Sequence, residues 1–151
     1  MSKPQMIEDF NVFKNIFQQA NAGLNKYRSK NQVDSVFEAN RTRIKDGMSY
    51  RDFYNIIWNV IDYTGSCHNE LAYPDSLDNY LSKQEIFFPI PLTYLEGKIY
   101  TNLEYGGVRA GSEIVSVNAI QANKFANSIA RYVSTDGLNT TGKYKKIETD
   151  W

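Results

Sequence analysis

Cysteine and histidine are nearly missing from this chain: there is one of each in 151 residues, adjacent at Cys67 and His68. A single thiol excludes an internal disulfide and leaves the redox compartment open. One imidazole and one thiol are too few donors for a zinc-type centre, so neither a metal site nor a cofactor is expected. Neighbouring side chains diverge by about 100° on a helix and face opposite ways on a strand. Cys67 and His68 are therefore badly placed for a nucleophile–base dyad, and the pair reads as structural. Net charge is lacking as well, since 17 basic residues balance 17 acidic ones, with no basic group denser than Lys143, Lys145 and Lys146. Phosphate binding needs a concentrated positive face, so nucleic acid is not an expected partner. Long apolar runs are absent too. The best, IFFPIPL at 86–92, carries two of the four prolines and falls well short of the roughly 18 residues of a membrane span. The N-terminal MSKPQMIEDF has no apolar core of a signal peptide; either the protein is cytoplasmic or an export signal has been removed ahead of it.

What the chain does have is aromatic weight. Eleven Tyr and eight Phe, within 42% hydrophobic residues overall, supply enough apolar area for a packed core. Helical spacing dominates the first half. Phe10, Phe13, Phe17 and Ala20, with Ile16 beside them, form a stripe over 6–20. Val33, Val36, Phe37, Asn40 and Ile44 repeat the pattern over 32–45, with Asp46-Gly47 as its stop. Ser49 as N-cap and Asp52 at N3 open the strongest helix, 50–63, and Gly65 follows it. Trp58 lies on that helix and is expected to be at least half buried. Leu77 to Gln84 reads as one short helix or an irregular segment. From Ile86 the period changes to two. The prolines hold 87–94 extended, Glu96-Gly97-Lys98 forms a hairpin turn, and 99–103 is a strand. Gly106-Gly107 and Ala110-Gly111-Ser112 are turns before the strand Ile114-Val115-Ser116-Val117. A helix is expected at 122–133, a polar loop at 134–142 and a charged tail at 143–151. The fold class is α+β: a three-helix domain over 1–85, then a small β-hairpin and helix unit over 86–151.

Chemistry-bearing patterns are few. Ser2-Lys3, Ser29-Lys30 and Ser82-Lys83 are sequence neighbours in polar segments and read as solvated surface. No D-x-D-x-D-G loop or H-E-x-x-H motif occurs, and Gly106-Gly107 lacks the spacing of a phosphate loop.

The segment AGSEIVSVN, Ala110 to Asn118, resembles the turn–strand–turn of PDZ domains that leads to the helix walling a peptide groove. Together with GMSYRDFY from Gly47, GSCHNEL from Gly65, FPIPL from Phe88 and GKIY from Gly97, it makes nearly the whole chain resemble the N-terminal part of S41 serine peptidases, the tail-specific or C-terminal-processing proteases. In that family a helical domain and a PDZ-like unit precede a catalytic domain with a serine nucleophile and a lysine base. Nothing in this chain matches that domain. Gly65 to His68 departs from the family's Gly-Asp-Gly-His type turn, and Ala119 replaces the usual glycine of Asn-Gly. The resemblance implies a degenerate or truncated PDZ-like unit and a non-catalytic role, positioning substrate or regulating access to a downstream catalytic domain. It also implies a periplasmic or secreted setting. The other reading is a free-standing peptide-binding module. In both, an extended polypeptide or C-terminal peptide adds a strand beside Ile99, Thr101 and Leu103. Its carboxylate meets the turn at Leu95 and Gly97, and its side chains meet Phe125 and Ile129. The competing reading of Phe125 and Ile129 is core packing.

Overall fold

A computed structural model describes residues 1–84 and 90–148 of the chain. The fold is α+β, a helical region followed by small antiparallel sheets with their own helices. The chain divides into two compact units: Met1–Glu70 with Ser134–Leu138, and Leu71–Val133 with Asn139–Trp151. No helix of the described residues is long and apolar enough to cross a membrane.

Three helices build the first unit: α1 (Lys3–Ala20), α2 (Lys30–Arg41) and α3 (Tyr50–Thr64). Each begins at a serine. Gln5 reaches back to the Ser2 backbone N–H at 2.9 Å, Gln32 does the same for Ser29 at 2.9 Å, and the Asp52 N–H donates to Ser49 Oγ at 3.1 Å. These contacts satisfy donors that a helix start leaves open. Gly65 ends α3 at φ 68°, the left-handed conformation that glycine adopts without steric cost. Met6, Phe10, Val33, Phe37, Ile56 and Val60 form the centre of the core. Phe37 meets Phe10 edge-on at 6.1 Å and Phe13 at 5.7 Å between ring centres, separations at which aromatic pairs attract beyond their buried area. Trp58 is only 6% exposed and stacks on Tyr54, as its place on the helix predicts.

The second unit starts with a short helix, α4 (Asp75–Leu81). The hairpin expected at Gly97 joins β1 (Leu92–Leu95) to β2 (Lys98–Thr101), with Glu96 and Gly97 both at positive φ, the conformation that matches strand twist in a two-residue turn. Of the extended segment expected over 87–94, residues 87–89 lie outside the described residues, as do residues 149–151 of the tail. The run expected as one strand at Ile114 is two: β3 (Glu113–Ile114) pairs with β2, while β4 (Ser116–Val117) pairs with β5 (Ile120–Gln121). Val115 between them is exposed. α5 (Ala122–Ala130) lies on β2 through Ala122, Ala126 and Ala130; their small side chains at i, i+4, i+8 let the helix come close.

The expected loop and charged tail after residue 134 need correction, for a further helix, α6 (Thr140–Ile147), runs from the end of that loop into the tail. Asn139 caps it by accepting from the Gly142 N–H at 2.8 Å. Ile147 is fully buried in the second core, and Tyr144 stacks on Tyr94 with ring centres 4.0 Å apart. Tertiary burial of two residues one turn apart holds a helix that its sequence, with Thr-Thr-Gly at the start, favours little.

Candidate functional site

The residues expected to form a peptide groove divide into three groups. Leu95 and Gly97 sit at the tip of the β1–β2 hairpin, where Leu95 is 56% exposed. Ile99, Phe125 and Ile129 come together, but in the interior: Ile99 is fully buried, and the two α5 residues pack against the same cluster. Thr101, on the same strand as Ile99, is buried as well. Its hydroxyl donates to the Arg109 carbonyl at 2.8 Å and accepts from the Ser112 N–H at 3.1 Å. Leu103 lies beyond the strand and is exposed. β2 is the middle strand of the order β1-β2-β3. Both its edges are already paired, so an added strand at 98–101 would have to displace β1 or β3. The outer edges are those of β1 and β3, and on β1 the Tyr94 N–H already donates to Glu148 Oε1 at 2.9 Å.

The three Ser-Lys neighbours acquire a structural explanation. Ser2 and Ser29 are helix N-caps with the lysine at the first helical position. Ser82 is the C-cap of α4, and its hydroxyl donates to the Asn79 carbonyl at 3.3 Å.

A second place in the molecule has more open geometry. Within the helical unit, a cavity of about 600 Å³ opens between the end of α1, the loop after it, the turn following α3 and the returning segment Ser134–Leu138. Its apolar wall comes from α1: Phe13 and Phe17, half-buried, and Ile16, 61% exposed. Its polar side carries Lys26, Ser66, His68, Asn69 and Asp136. The returning segment is tied in by its backbone. The Gly137 N–H donates to the Gly65 carbonyl at 2.8 Å, and the Cys67 N–H donates to Asp136 Oδ1 at 3.3 Å. Gly137 lies against the Tyr27 ring, where a Cβ would stand 3.2 Å from a ring carbon.

Electrostatics at this mouth are defined by two charges. The Cys67 backbone N–H, then its thiol, hold the Asp136 carboxyl below the usual range, with Lys26 and His68 adding smaller contributions. Lys26 is raised above the ordinary lysine value, first through its neighbour Tyr27, over whose ring the ammonium sits at 4.8 Å. His68 is exposed, and its backbone N–H donates to Ser66 Oγ at 3.4 Å. Cys67 is half-buried with a free thiol.

Sequence reasoning singled out the Gly65 turn and the polar loop after residue 134 but had no reason to join them. Lys26 and Asp136 passed unremarked, because single charges in polar loops give no local signal. The two glycines, at 65 and 137, were the available clue that two loops approach closely. Among the described residues no group of three His, Cys, Asp or Glu could hold a metal ion. Compared with known proteins, the chain matches no family model and no curated protein.

Proposed function

We propose that this chain is a non-catalytic N-terminal portion of an S41-like serine peptidase, positioning polypeptide substrate or regulating access to a catalytic domain beyond it. The observation that carries the reading is the order of elements: three capped helices, then the hairpin at Glu96-Gly97, then the Gly111 to Asn118 segment running into α5. That order accords with the arrangement the sequence resembles, a helical domain and then a PDZ-like unit. The capping roles of Ser2, Ser29 and Ser82 further support a part that does no chemistry itself. Such a portion would work outside the cytoplasm, in the periplasm or after secretion.

Peptide capture by strand addition along β2 is the weaker version of this reading, because that strand has no free edge. Access regulation, with the β unit as a spacer, suits a closed core better. The decisive experiment is to sequence the transcript past codon 151. A further α/β segment of about 200 residues carrying a serine nucleophile and a lysine base is the expected result. A stop codon there would overturn the proposal and favour a free-standing module. The chain alone should hydrolyse neither casein nor a fluorogenic peptide; turnover abolished by Ser66→Ala or Cys67→Ser would also overturn it.

A further inference from the structure

The cavity of the helical unit brings two opposite charges to one opening, Lys26 over the Tyr27 ring and Asp136 on the Cys67 N–H. Lys26 lies near enough to Asp136 to hold the carboxyl down, yet the two are not among the ion pairs of the described residues. Opposite charges thus face one opening without closing on each other. Next to them stands an apolar wall, and Ile16 leaves more than half its surface to solvent there. A volume of about 600 Å³ falls in the range of small-molecule sites, in which a mostly apolar lining carries a few converging polar groups.

The class of ligand follows by elimination. An anion would meet the ionised Asp136, and a cation would meet Lys26. A neutral apolar molecule would strip water from both charges and offer neither a partner. A zwitterion with an apolar body satisfies all three surfaces. We propose that this cavity binds a short apolar peptide with both ends free, its ammonium at Asp136, its carboxylate at Lys26 and an apolar side chain against Phe13, Ile16 and Phe17. Asp136 is half prepared for this: one oxygen accepts from the Cys67 N–H, which fixes the carboxylate while leaving it acceptor capacity. His68 and Asn69 at the same mouth supply further polar contacts to the peptide unit. The inference rests on the helical unit alone and is independent of any peptidase role.

The test is a titration of the full chain with the dipeptide leucyl-phenylalanine, followed by calorimetry and by amide chemical shifts. Shifts are expected at 21–27, 66–69 and 136. Acetylating the amine or amidating the carboxylate should each weaken binding by about two- to fivefold, the worth of an ion pair open to solvent. Asp136→Asn should erase the penalty of acetylation and keep that of amidation; Lys26→Met should do the reverse. Ile16→Ser, at an exposed position, should weaken the free and blocked dipeptides alike. Lys26 is also exposed, so its variant remains a fair test if Asp136→Asn loosens the turn. Equal affinity for free and blocked peptides would overturn the proposal. So would no shift at about 10 mM dipeptide, or shifts confined to the other unit. These results say nothing about the transcript past codon 151, so the two proposals fail separately.

Discussion

The helical unit buries interlocking phenylalanines between helices of 18, 12 and 15 residues. The β unit closes its core with strands of two to four residues and a helix that sets three alanines at the centre of its inner face. The first relies on large side chains filling space between long elements, and the second relies on small ones letting short elements touch. Their vulnerabilities should therefore be opposite. A core built on large rings is damaged by removing volume, and one built on close approach is damaged by adding it.

The largest expected effect is in the helical unit, where Phe37→Ala should cost about 3–5 kcal/mol in denaturant melts; a loss under about 1 kcal/mol would break the comparison. Gly65→Ala should come next, at about 2 kcal/mol. The new Cβ would need a left-handed backbone and would stand 3.0 Å from the Gly137 carbonyl oxygen. In the β unit, Ala126→Leu should cost about 1–3 kcal/mol by pushing α5 off β2. If it proved neutral, close approach would not be what limits that core. Ala119→Gly should have the opposite sign. Ala119 sits at φ 64° in the β4–β5 turn, so glycine there should raise stability by about 1 kcal/mol, read as a higher melting temperature.

A smaller effect separates the units by pH. The folded Asp136 carboxyl titrates below its unfolded value. Its contribution is fully present above the ordinary carboxylate range and is lost as pH falls through the lower folded value. Melting temperature measured from about pH 6 down to about pH 3 should drop less in Asp136→Asn than in the parent chain. An identical slope would show that the carboxylate contributes nothing to the fold.

Where local rules suffice, the sequence was legible. Ser49 with Asp52, the Phe10 stripe and Gly65 announced the helices, and Glu96-Gly97 announced the hairpin. Ile16 was read beside the helical stripe, and the fold leaves it exposed along the cavity. α6 was illegible, since Tyr144 takes its partners from Tyr94 on β1 and Asn127 on α5, and Ile147 is buried in the core those elements build. The interior fate of Ile99 and Phe125 was open for a related reason: spacing tells which residues share a face, not whether another element already covers it. The cavity was the least legible of all, because the Cys67–Asp136 contact spans 69 positions.

That span has a bearing on how the protein is made. Residues 1–70 leave the ribosome first and contain all the large rings of the helical core, so this unit can collapse early, from contacts local in sequence. Its cavity cannot be finished then, because the wall bearing Asp136 is synthesised only after residues 71–133. A nascent or truncated chain ending anywhere before Ser134 would carry the helices without the anionic half of the mouth. Competence to hold a zwitterion thus arrives only once residues 71–133 have been made, ahead of the α6 segment that completes the second unit.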